Sequence, residues 1–123
     1  MKKVLFSIKP EFVEKIFSGE KRFEYRKSRC KREVDRIVIY CTAPCGKVVG
    51  EVEISRILVG SPRKIWENTK KYSGISESFF SKYFMHKNIA VAYELGRVIR
   101  YKEPKTLSEY SLKVPPQSYV YID

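Results

Sequence analysis

The chain has 123 residues, enough for one compact domain, and 43% apolar with 14% aromatic residues supply a single core and no second one. Its 25 Lys and Arg against 14 Asp and Glu leave a formal charge of +11, which points to polyanionic partners, nucleic acid first among them. No apolar run is long enough to span a bilayer, no long Lys-rich face stands opposite a Leu or Trp face, and the apolar stretch from Val4 to Ile8 is too short for a signal-peptide core, so a cytoplasmic protein with no membrane partner is expected.

In chain order, Val4 to Ile8 reads as a short buried strand, and Lys9-Pro10 ends it while presetting a helix over Pro10 to Ser18 with Phe12, Val13, Ile16 and Phe17 on one face. Gly19 suits a left-handed helix cap, delivering the chain sharply into a charged strand over Lys21 to Arg26. Arg26 to Arg32 holds five cations in seven residues and no acid; it is either a solvated loop or one that contacts phosphates. Asp35 to Cys41 and Lys47 to Val59 read as strands around a turn at Ala43 to Gly46, with Gly50 marking a bulge or a close backbone approach. Ser61-Pro62 starts a helix to about Thr69 with Ile65 and Trp66 inward, and Ser76 caps a second carrying Phe79, Phe80, Tyr83 and Phe84. That stripe is either core packing or a base-stacking platform. One long bent strand or two over Asn88 to Tyr101, with Gly96 as a kink, and a final strand over Gln117 to Tyr121 complete the chain. The pattern predicts an α+β fold, a small, curved, mostly antiparallel β-barrel with flanking helices.

The segment Gly19 to Arg26 is where the sequence points for function. Side chains alternate along an extended chain, so a strand puts Arg22, Glu24 and Arg26 on one face and Lys21, Phe23 and Tyr25 on the other. Two cations around a carboxylate are either a salt-bridged surface patch or a grip on an anionic ligand, with the carboxylate accepting a hydrogen bond from a base or hydroxyl.

Ser7-Ile8-Lys9-Pro10, then Ile16-Phe17-Ser18-Gly19-Glu20-Lys21 with Glu24 and Arg26, then Val49-Gly50-Glu51 and finally Pro115-Pro116-Gln117-Ser118-Tyr119 together resemble the ASCH domain over nearly the whole chain. The resemblance implies a single PUA-like domain over residues 1–123, related to RNA-binding and modified-base-reading domains, with Lys21, Glu24 and Arg26 lining a ligand cleft beside the barrel. Members of that family include RNA-binding or coactivator-like modules, ribonucleases, and a small bacterial group that deacylates acetylated cytidine with a Lys, a Thr and a Glu. Lys21 matches that lysine, but Glu24 stands where the threonine nucleophile would be. Pairing with Lys21 lowers the basicity of a carboxylate, so the amidohydrolase mechanism does not transfer directly.

Binding asks less of the residues than hydrolysis does. Lys9, Lys21, Arg26 and the basic run after it can hold phosphates, Tyr25 or Tyr40 can stack on an unpaired base, and Glu24, Gln117 or Ser118 can read its edge. For an enzyme, Glu24 would be the base and Lys21 or His86 the acid, although His86 follows an aromatic helix and reads as a helix-end residue. Glu51 and Glu53 read as a solvated pair, and Cys30, Cys41 and Cys45 with His86 are too scattered for zinc, so reduced thiols, no metal and no cofactor are expected. The sequence thus predicts an RNA- or nucleotide-binding domain, with hydrolysis of RNA or of a modified nucleoside as the alternative.

Overall fold

The computed structural model describes residues 2–122. Strand β1 (Lys3–Ile8) is followed by α1 (Pro10–Ser18), β2 (Phe23–Arg26), β3 (Arg36–Cys41), β4 (Lys47–Gly60), α2 (Pro62–Thr69), α3 (Glu77–Tyr83), β5 (Ala90–Lys105) and β6 (Tyr119–Ile122), with 3-10 turns at Lys70–Tyr72 and Leu107–Tyr110. The six strands form one sheet in the order β2-β5-β4-β3-β1-β6, curled into a half-barrel with three helices. Only β1 and β3 pair in parallel; the other four pairs are antiparallel. The parallel pair requires a crossover, because the chain must return to the same end of the sheet before β3 can begin. Here α1 and β2 make that crossover. β2 lands on one rim of the half-barrel while β1 lies beside the other rim, β6.

The local signals act as their chemistry predicts. Gly19 closes α1 in the left-handed conformation at φ 86°, its N–H donating to the Ile16 carbonyl oxygen. The Ser61 and Ser76 side chains accept hydrogen bonds from the Lys64 and Phe79 backbone N–H groups, satisfying first-turn donors of α2 and α3. Gly50 is a close approach: a Cβ there would collide with the Ile99 carbonyl oxygen and stand 3.0 Å from the Phe17 ring, and the β4–β5 register shifts beside it. β5 is one long strand whose pairing with β4 slips at several points rather than two separate strands.

Burial follows the alternation of the strands. Val4, Phe6 and Ile8 of β1 join Ile37, Ile39, Val91 and Tyr93 in a central core under α1. Phe23 and Tyr25 of β2 join Ala90, Ala92, Ile65, Phe80 and Phe84 in a second core under α2 and α3. Leu5, Val38, Tyr40 and Val48 form a third, on the opposite face of the sheet, packed with Tyr101, Leu107, Tyr110 and Leu112. Tyr40 is therefore a core side chain, 5% exposed, and not a platform for a base. No helix among the described residues is long and apolar enough to cross a membrane.

Candidate ligand cleft

A cleft of about 500 Å³ opens where the two rims of the half-barrel approach one another. Lys21, Glu24, Tyr25 and Arg26 enter it from the β2 side, Ser7, Ile8 and Lys9 from the end of β1, and Gln117 and Ser118 from the segment before β6. Phe12 of α1 and Phe79 and Tyr83 of α3 wall it. Of the predicted site residues, Lys9, Lys21, Glu24, Tyr25, Arg26, Gln117 and Ser118 are brought together, and Tyr40 is not. The aromatic stripe of α3 divides: Phe80 and Phe84 are core, whereas Phe79 and Tyr83 face the opening.

The charged floor is built differently from the predicted alternation. The β2 ladder starts only at Phe23, so Lys21 lies in the turn before the strand, where its N–H donates to the Lys15 carbonyl oxygen. Arg22 points away, its guanidinium 4.4 Å over the exposed Tyr72 ring, and Lys21 takes its place beside Glu24. Glu24 Oε2 accepts from Arg26 Nη2 at 2.9 Å, and Lys21 Nζ stands 3.9 Å from Glu24 Oε1. Arg26 also donates from Nη2 to the Ser7 carbonyl oxygen at 3.1 Å and from Nη1 to the Ser118 carbonyl and hydroxyl oxygens, each at 3.4 Å. One guanidinium thus staples the β2 rim to the β1–β6 rim. Its Nε is buried with no hydrogen-bond partner among the described residues.

Lys21 is 3% exposed and Glu24 7%, unusual burial for charged groups. Lys21 Nζ donates to the Ser73 carbonyl oxygen at 2.9 Å and lies 5.3 Å and 4.9 Å from the ring centroids of Phe12 and Tyr25. Desolvation dominates its electrostatics: the ammonium titrates at about 8 instead of 10.5, despite the opposing pull of Glu24, with Arg26 and Lys15 adding to the depression. Gly74 makes this geometry possible, since at φ +70° its missing Cβ leaves room for the Lys21 stem. Tyr25 is fixed from below. The Thr69 hydroxyl donates to the Ile65 carbonyl oxygen at 2.7 Å, so the Tyr25 hydroxyl, also 2.7 Å away, is the donor to Thr69. Burial holds its phenol up at about 12.

Around this floor the rim is cationic. Lys9 Nζ lies 5.3 Å from the Phe79 ring centroid and Lys27 Nζ 4.7 Å from that of Tyr83. Both pairs expose a charge and an aromatic face side by side. Ser73 and Ile75, from the segment after α2, had no sequence signal as site residues; the Ser73 contribution is a backbone carbonyl, which any residue type supplies. His86 is exposed beyond α3 and lies outside the cleft. The three cysteines are unpaired, and among the described residues no group of three His, Cys, Asp or Glu side chains is arranged to hold a metal ion.

Comparison with known proteins agrees with this architecture. Large ribosomal subunit protein uL22 of Ureaplasma parvum is 30% identical over 120 residues, 97% of this chain, and the chain spans only 39% of that protein's length. The ASCH domain-containing ribonuclease of Zymomonas mobilis is 30% identical over 95 residues, 76% of this chain and 64% of that protein. The crystal structure of ASCH from Zymomonas mobilis superposes with a TM-score of 0.90 at 28% identity, covering 99% of this chain and 88% of that one. The family model of the ASCH domain matches residues 6–106, and the chain belongs to the ASCH domain family.

Proposed function

We propose that this domain binds RNA or a modified nucleotide in the cleft at the seam of the half-barrel. The observation that carries the proposal is Lys21, an ammonium kept almost fully buried beside an opening although burial depresses its pKa to about 8. A salt bridge kept for stability would not be built this way, because a paired, stabilising lysine has its pKa raised rather than lowered. With Arg26 and Glu24 the floor carries two positive charges and one negative, an excess that an anionic ligand would neutralise. Lys9 and Lys27 suit phosphates, Phe79 and Tyr83 suit an unstacked base, and Glu24, as an acceptor, suits a base that presents an amino group. The ribonuclease name of the Zymomonas mobilis relative supports RNA as the ligand class.

Hydrolysis of RNA or of an acylated nucleoside is the second reading, favoured by the same lysine. An amine titrating near neutrality can give its proton to a leaving oxygen, with Glu24 beside it as base. The test incubates purified protein with labelled single-stranded and structured RNA, with and without divalent metal, scoring retention and cleavage together. Lys21→Ala is expected to weaken salt-sensitive retention at least tenfold while circular dichroism stays that of the folded protein. Glu24→Gln separates the two chemistries, since binding predicts that much of the affinity survives, and catalysis predicts cleavage by the wild type that the variant loses. Retention unchanged in Lys21→Ala would remove the cleft from the mechanism.

A further inference from the structure

Beyond the cleft, the basic segment after β2 is held in place rather than left as a free loop. The Cys30 N–H donates to the Tyr93 hydroxyl at 2.9 Å with Cys30 itself 6% exposed, and the Arg32 N–H donates to the Tyr121 hydroxyl at 3.0 Å. The Arg32 guanidinium stacks 4.6 Å over the Tyr121 ring. Two anchors, one in the central core and one on β6, therefore fix the backbone between them, while Arg29, Lys31 and Arg32 remain exposed.

These residues line a second groove of about 570 Å³, floored by Val34, Ile54 and Ile57 and edged by Arg29, Lys31, Arg32 and Arg56. Glu33 and Asp35 also line it, so its side chains carry four positive and two negative charges. Asp35 and Arg56 already have partners: Asp35 Oδ2 accepts from the Lys2 N–H at 3.1 Å, and Arg56 Nε donates to Glu94 Oε1 at 2.7 Å. Arg29, Lys31 and Arg32 form no ion pair among the described residues. One stretch of backbone borders both depressions, since Ser28 lines the cleft and Arg29, the next residue, lines the groove. The groove holds no aromatic side chain on which a base could stack.

Resting on the RNA-binding function proposed above, we infer that the ligand is a strand and not a lone nucleotide: single-stranded RNA leaves the cleft over Ser28 and Arg29 and lays its flanking phosphates along the groove of Arg29, Lys31 and Arg32. The fixed loop lowers the entropy cost, since its backbone at Cys30 and Arg32 is ordered before RNA arrives. With no aromatic side chain to hold a base and four cations against two carboxylates, the contact is one of charge, so the groove adds affinity with little sequence preference.

The experiment compares a trinucleotide with a twelve-nucleotide single-stranded RNA, each as a uridine and an adenosine homopolymer. Both are titrated across a salt series against wild type and the Arg29→Ala/Lys31→Ala/Arg32→Ala variant. Wild type is expected to bind the longer RNA at least tenfold more tightly in both homopolymers. In the triple variant that gain disappears, trinucleotide affinity persists, and the slope of log affinity against log salt for the longer RNA falls by about 2, at about 0.7 for each lost phosphate contact. Equal affinity of wild type for both lengths would overturn the strand track while leaving the cleft standing, as would a variant that keeps the full length gain. Failure of wild type to bind either RNA would overturn both. A thermal unfolding midpoint for the variant close to wild type confirms that the anchors, which donate through backbone N–H groups, still hold the loop.

Discussion

The seam cleft and the core around Tyr40 use similar residue types to opposite ends. Both hold tyrosines next to cations: Lys21 beside Tyr25 in the cleft, Lys105 beside Tyr101 and Tyr110 at the other face. Around Tyr40 the 3-10 turn Leu107–Tyr110 and Leu112 close over Leu5, Val38 and Val48, and the lysine stays on the exposed surface. At the seam no such lid exists, and it is the charge that is buried while Phe79 and Tyr83 border the opening. The two regions share their aromatic content, and what separates them is the desolvated charge that the seam sets beside open volume.

Stability and affinity are expected to separate between the two regions. Leu5→Ala, at a fully buried position on the closed face, is expected to cost about 3 kcal/mol in denaturant unfolding and to leave RNA retention unchanged. A fall in affinity matching the fall in stability would show the regions to be coupled.

Lys21→Met is expected to act with the opposite sign. Removing the ammonium relieves about 3 kcal/mol, the equivalent of its net shift from 10.5 to about 8, in which desolvation and the repulsion of Arg26 and Lys15 outweigh the attraction of Glu24, and gives back about 1 kcal/mol for the lost bond to the Ser73 carbonyl oxygen. The variant should be about 2 kcal/mol more stable at pH 7 and bind RNA at least tenfold less tightly. The advantage depends on pH with a definite sign. Between about 8 and 10.5 the unfolded wild type holds a proton that the folded lysine has released, so wild-type stability rises relative to the variant and the gap closes. Cys30, Cys41 and the buried tyrosines, whose pKa values are raised, pull absolute stability the other way at alkaline pH, but they are common to both proteins and cancel in the difference. A gap that stays constant to pH 10 would contradict the buried-charge account.

Gly74→Ala tests the space that Lys21 occupies. Its Cβ would meet the Lys21 stem in a backbone conformation unsuited to alanine, so a loss of about 2 kcal/mol together with weaker RNA retention is expected. Normal affinity in this variant would mean that Lys21 can move without consequence. The smallest effect belongs to Tyr25→Phe, which removes the bond to Thr69 for about 1 kcal/mol and keeps the ring beside Lys21, so binding should persist. Loss of binding there would assign the hydroxyl itself to the ligand.

Much of the fold was legible because its signals are local. Gly19 ends α1, Ser61 and Ser76 cap their helices, and Gly50 sits where a backbone presses close, each decided by atoms within a few residues or by the lack of a Cβ. The pairing of Glu24 with Arg26 was legible for the same reason, since alternate residues of one strand share a face. The misplacement of Lys21 and Arg22 shows the limit. Alternation holds only inside the ladder, and the point where the ladder starts depends on β5 and on the Tyr72 carbonyl oxygen that takes the Arg22 N–H.

The sequence by itself determined the elements, the basic character and the pairing of Glu24 with Arg26, because caps, periodicity and charge are properties of neighbouring residues; Lys21 joined that pair only through the family resemblance. Only the tertiary structure decided that Arg26 staples Ser7 to Ser118 across the seam, that Tyr40 is enclosed while Tyr83 faces the cleft, and that Lys21 is buried against Ser73. Those outcomes join residues 19 to 92 positions apart through backbone carbonyls and packing, which carry no residue-type signature and exist only once the half-barrel has curled.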